Sequence, residues 1–191
     1  DKSVIAFQGN TLNTAGESIT EIYTVAIDQQ LIKEDLGAIG TVGQRPQPPK
    51  GIKQSRLSYS EKGLSSQRHW LRASPDGAFI YALGRDAQQR NQLVRCEVAT
   101  GDLHYISDFP FSISSAININ YQGTALTFVA ENQVFIFCLA TSRLQQLTDN
   151  SMESLALSGA PVFSPNGKYI AFNQYVAAQG AAYLQVMLIH V

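Results

Sequence analysis

Arg68, His69, Trp70 and Arg72, followed by Arg85 and Asp86, form the densest run of chemically useful side chains in the sequence. Guanidinium forks beside an indole could grip a carboxylate, a sugar or the terminal carboxyl of a peptide. A structural reading competes with this one: Arg72 pairs with Asp76 or Asp86, and Trp70 fills a gap between sheets. It carries more weight, because ion pairs and buried tryptophans are commoner than sites. No catalytic residue is assigned. The Gly-x-Ser-x-Gly turn that exposes a hydrolase nucleophile does not occur, and such a serine would also need a base and an orienting acid. Ser65-Ser66 and Ser114-Ser115 read as loops. His69, His104 and His190 are far apart, and His69 alone stands where an inner strand would begin, so neither a metal site nor a cofactor is expected. Cys96 and Cys138 lack CxxC or Cys/His metal spacing and read as small core residues.

The elements that must position these residues repeat. Ser74-Pro75-Asp76-Gly77 precedes Phe79-Ile80-Tyr81-Ala82-Leu83, and Ser164-Pro165-Asn166-Gly167 precedes Tyr169-Ile170-Ala171-Phe172. Between them, Asn120-Tyr121-Gln122-Gly123 departs from the motif and precedes Ala125-Leu126-Thr127-Phe128-Val129. The turn glycines lie 46 residues apart from Gly77 to Gly123, and 44 from Gly123 to Gly167. A recurrence in the mid-forties fits one four-stranded propeller blade. Pro presets φ, the Asx side chain bonds its own backbone, and Gly accepts positive φ, which together close a hairpin. Third strands follow at Leu93 to Val98, Val134 to Leu139 and Leu184 to Ile189, and fourth strands at Leu103 to Ser107 and Leu144 to Thr148. The opening segment fits the same template without a first strand, with Val4 to Phe7 and Glu21 to Asp28 as its strands.

The predicted fold is all-β: a partial β-propeller of about four blade units, each built as a four-stranded antiparallel blade, truncated at the N-terminus. The units run over about 1–36, 68–108, 113–149 and 155–191, with an inter-blade insertion over 37–67. Proline-rich Gly40 to Gly51 should be extended, and Gln54 to Ser60 offers an outer strand. An open arc leaves apolar blade faces and strand edges uncovered. The chain is therefore expected to be completed by the remaining blades of the same protein or by a second copy. Matching Ala99-Thr100 to Ala140-Thr141 places Cys96 against Phe137, so the two sulfurs should point to opposite faces and stay unbridged.

Composition narrows the partners. Fourteen Lys+Arg against fifteen Asp+Glu leave a formal charge of −1, without the basic field that gathers phosphate backbones, so nucleic acid is not expected. No apolar run is long enough for a helical membrane span. The chain begins at Asp1 with no signal-like segment and reads as processed, trimmed or partial. A protein or small-molecule ligand of undetermined identity is left as the partner class.

The two Ser-Pro-Asx-Gly turns, each before an Ile-aromatic strand, and the blade-closing Leu147-Thr148-Asp149 resemble the Tol-type repeat of TolB-like β-propeller proteins. More narrowly, Arg68 to Gly77, Ile5 to Leu12 and the proline-rich link resemble the C-terminal half of bacterial YidR-like proteins. The resemblance covers nearly the whole chain. It implies a non-catalytic platform for protein or small-ligand binding, bacterial and periplasmic. The alternative it carries is a carbohydrate-acting lyase or hydrolase with an axial site, since some Tol-like propellers are pectin-fragment lyases with a histidine-rich metal centre. Fold does not transfer function across such a family.

Overall fold

A computed structural model describes residues 2–65, 71–150 and 156–191. Arg68, His69 and Trp70 lie outside the described residues. Four antiparallel sheets of three or four strands follow one another along the chain. The first pairs β1 (Lys2–Leu12), β2 (Ser18–Asp28) and β3 (Gln54–Arg56) in that order. The second runs β4 (Arg72–Ala73), β5 (Phe79–Arg85), β6 (Asn91–Glu97), β7 (Leu103–Tyr105). The third repeats it with β8 (Asn118–Ile119), β9 (Ala125–Ala130), β10 (Gln133–Cys138) and β11 (Leu144–Gln146). The fourth has β12 (Leu157–Phe163), β13 (Tyr169–Ala178) and β14 (Ala181–His190). This is the architecture of a partial propeller.

Alternation along the strands explains how each sheet packs on both sides. In β5, Ile80 and Ala82 face the first sheet in a cluster with Ile22, Leu64, Val94 and Cys96, whereas Tyr81 and Leu83 face the third. All six residues of β9 are buried, because neighbouring sheets cover both of its faces. The connection after β7 adds Phe109 and Phe111 to the second interface. Phe109 lies 5.7 Å from Phe128 and Phe111 lies 5.1 Å from Phe135, between ring centroids. A smaller cluster of Val129, Val134, Ile170 and Phe172 joins the third sheet to the fourth.

The repeated turns also touch. Gly123, at φ 71°, sits so close to the Pro75 ring that a Cβ there would overlap it. The sulfurs follow the expected alternation: Cys96 is buried against the first sheet, Cys138 follows Phe137 on the opposite face of β10, and both are free thiols.

Between β2 and the proline-rich link over 40–51, which contains no helix, stand two short helices that the strand pattern did not predict, α1 (Gln29–Glu34) and α2 (Leu36–Ile39). Asp28 accepts the N–H of Gln30 at 2.9 Å, and Asp35 accepts those of Gly37 at 3.0 Å and Lys50 at 2.9 Å. These Asx caps, rather than an amphipathic period, generate the helices. No helix among the described residues is long and apolar enough to cross a membrane.

Candidate ligand-binding site

Arg85 and Asp86 line the same cavity, of about 490 Å³, between the first two sheets. Segment 60–63 forms one wall, and Ala87, Leu103, Tyr105, Ser107 and Asp108 form much of the other. Arg72 is not in its wall. It stands opposite Tyr81, while Arg85 stands opposite Asn91 four positions further along β5, about 13 Å away at strand spacing. The guanidinium of Arg72 donates to the carbonyl of Leu71 at 3.0 Å, and partial burial pulls its pKa below the usual arginine value. The expected pairing of Arg72 with Asp76 or Asp86 gives way to other bonds. Asp76 accepts from the Ser74 hydroxyl at 2.5 Å and the Ala78 N–H at 3.0 Å, and Asp86 binds Arg90.

Local chemistry fixes each wall. Asp86 shapes the β5–β6 loop by accepting the N–H groups of Gln88 at 2.9 Å and Arg90 at 2.8 Å. The Arg90 side chain then clasps Asp86 at 2.7 Å and Asp108 at 3.5 Å. Partial desolvation pushes the Asp86 carboxyl upward, but the N–H and guanidinium of Arg90 and the N–H of Gln88 hold it below the ordinary carboxylate value. Tyr105 donates its hydroxyl to the carbonyl of Arg85 at 2.5 Å, which fixes its ring along the wall. Burial, then the charge of Asp86, raises its pKa.

The opposite wall hangs on two residues that composition and motif reading missed. Glu21, fully buried, accepts from Ser58 Oγ, from the N–H of Ser60 at 2.7 Å and from Ser60 Oγ at 2.7 Å, and pairs with Arg56 at 3.5 Å. Leu64 bridges the two sheets: its N–H donates to Thr20 at 2.7 Å, and the next N–H, of Ser65, donates to Leu83 at 2.8 Å. Lys62, between these anchors, enters no ion pair among the described residues. With Arg85 it also lines an adjoining cavity of about 200 Å³. The sequence signal for Glu21 was a carboxylate between the β-branched Thr20 and Ile22 inside a strand. A buried charge must be bonded, so such a residue marks a partner elsewhere in the chain. Among the described residues, no three of His, Cys, Asp and Glu converge as metal ligands would.

The fold defines the class: the chain is a partial β-propeller, similar in architecture to TolB-like propeller proteins. TolB from Acinetobacter baumannii superposes with a TM-score of 0.58 over 97% of this chain and 41% of its own, at 14% identity. In sequence the chain resembles Escherichia coli YidR, described as an uncharacterized protein, at 30% identity over 177 residues. That match takes in 88% of this chain and 42% of YidR, so the chain spans less than half of that relative's length. An oligogalacturonate lyase from Vibrio parahaemolyticus shares the fold at a TM-score of 0.54 and 8% identity, over 97% of this chain and 60% of its own. No family model matches the chain.

Proposed function

We propose that the chain serves as a non-catalytic propeller platform, holding a small ligand or a peptide end in the cavity between its first two sheets. The observation that carries this reading is the division of labour among the charged groups there. Asp86 is spent on Arg90 and on loop backbone, so it builds the wall, and the exposed Asp108 touches Arg90 at 3.5 Å. The Lys62 ammonium and the immobilised Tyr105 ring are left to meet a ligand. An ammonium beside an aromatic wall suits an anionic group on a ring or short apolar body. The cavity volume lies within the range of small-molecule sites. The wider propeller, completed by further blades, would hold this site rigid.

The alternative class, a carbohydrate-acting lyase or hydrolase, draws on the shared fold of the oligogalacturonate lyase. One experiment separates the two readings. The chain is titrated calorimetrically with galacturonate, short oligogalacturonides and a C-terminal tetrapeptide, and the same mixtures are analysed for cleaved product. Saturable binding without turnover, weakened about tenfold by Lys62→Ala, supports the platform. Product formed faster than in protein-free controls overturns it.

A further inference from the structure

A second cavity, of about 510 Å³, lies between the second and third sheets. Tyr81, Arg95 and Ile106 line it from the second sheet, and Phe137 and Leu139 from the third. Both are four-stranded sheets in the middle of the chain, so neither terminus shapes the space. Tyr105, Ser107 and Asp108 line this cavity and the first one alike, and stand between them.

Much of the polar lining is already engaged. The Tyr105 hydroxyl donates to the carbonyl of Arg85 at 2.5 Å, while Ser107 Oγ donates to Gln92 at 2.8 Å and accepts the N–H of Leu93 at 2.8 Å. Two donor groups of the second sheet remain. Arg95 stands directly opposite Tyr81 across β5 and β6, so both side chains leave the sheet on one face, with Cβ atoms about 5 Å apart. The Arg95 guanidinium lies over the Phe79 ring, 4.6 Å from its centroid, a contact that holds the cation without using its N–H donors. It enters no ion pair and makes no side-chain hydrogen bond among the described residues. Tyr81 is only 5% exposed, yet its hydroxyl also makes no hydrogen bond among the described residues. A buried tyrosine hydroxyl ordinarily has a partner. Burial raises its pKa against the opposing charge of Arg95, and Asp76 adds to the rise, so the hydroxyl keeps its proton at neutral pH and presents a donor.

We infer that this cavity is a second binding site, for a small organic monocarboxylate with an apolar body. The carboxylate takes N–H bonds from Arg95 and an O–H bond from Tyr81, and the body lies against Ile106, Phe137 and Leu139. One cation matches one negative charge, and Asp108, whose side chain is 92% exposed at the mouth, opposes a second. The site is independent of the one bounded by Lys62, which is absent from its wall.

The probe is 3-phenylpropionate, titrated calorimetrically into the unaltered chain and into Lys62→Ala, which weakens the first cavity, with the uncharged amide of the same acid as the control. Saturable binding that survives Lys62→Ala is expected, about tenfold weaker for the amide. Arg95→Met keeps an apolar stem over Phe79, and Tyr81→Phe removes one hydroxyl that bonds nothing in the fold. Each should weaken the acid about tenfold and the amide far less, and Tyr81→Phe should melt at the temperature of the parent. Heats that fail to saturate below about 10 mM would show that the space holds only solvent, and undiminished affinity in Tyr81→Phe and Arg95→Met would take the carboxylate away from both donors. Either result overturns the site. Binding that disappears with Lys62→Ala overturns it as well, by placing the acid in the first cavity, and leaves the platform reading standing.

Discussion

Glu21 places a carboxylate where the next two sheets place an amide, and the partners change to suit. Gln92 donates its Nε2 to the carbonyls of Phe109 and Phe111, both at 3.1 Å. Glu21 can donate nothing, and is met by the Ser60 hydroxyl and Arg56 instead. Gln92→Glu would therefore bury a charge facing two carbonyls, and should lower stability by about 3 kcal/mol in urea titrations. An unchanged midpoint would refute this account of the Gln92 amide. The cysteines give a second residue-scale prediction. Burial pushes the Cys96 thiol up to about 11, helped by the nearby charges of Glu21, Asp102 and Glu97. The hydroxyl and N–H of Thr141, with the N–H of Ala140, hold that of Cys138 below its ordinary value. At neutral pH a thiol reagent should modify Cys138 first, and Cys96 only on unfolding, as read by mass spectrometry of the peptides. The Cys96 pKa is raised in the folded state, so its contribution is complete below about pH 9 and is lost as pH rises toward 11. Alkaline destabilisation should shrink in Cys96→Ala.

The hairpin turns couple one blade to the next. Gly123 combines a left-handed φ of 71° with contact against Pro75, so Gly123→Ala adds both backbone strain and a steric clash. A loss of about 2 kcal/mol is expected. Gly180, at φ 78° with open space around it, should lose less under the same change, and paired thermal melts would show the order. The β5–β6 loop depends on the ionised Asp86, whose pKa lies below the carboxylate norm in the fold. Its stabilising contribution is present above the unfolded value and lost as pH falls through the folded one. Loop 86–90 should accordingly exchange amide hydrogens faster in acid than in neutral buffer, and Asp86→Asn should flatten that dependence. A loop whose exchange ignores both changes would show that Asp86 does not shape it.

Across the whole molecule, cover is uneven. The second and third sheets are packed on both faces, whereas β14 exposes Val186 at 71% and Leu188 at 68%, and β1 exposes Val4 at 59%. Local opening free energy follows buried contact, so the middle sheets should be the last to exchange. Hydrogen exchange should be at least about tenfold slower within 125–138 than within 181–190. Equal rates would mean that the sheets open as one unit.

Much of this arrangement was legible in the chain. The turn glycines spaced in the mid-forties and the alternating strands behind them specify hairpins, and a single hairpin's chemistry is local: Pro, Asx and Gly set their own dihedrals. The propeller class follows, because such sheets must hide both faces against neighbours. Helices α1 and α2 were not legible, since single Asx caps rather than periodicity hold them. The placement of the site was decided in three dimensions. Arg72, Arg85 and Asp86 are close in sequence, yet strand rise separates Arg72 from the other two, while Lys62 and Tyr105 join them across a gap between sheets. The hydrogen bonds of Ser58 to Glu21 and of Ser107 to Gln92 escaped detection for the same reason. Glu21 and Ser58 stand 37 residues apart, and their relation to Gln92 and Ser107 appears only when the sheets are paired, because hydrogen-bond register is a property of two strands and not of either alone.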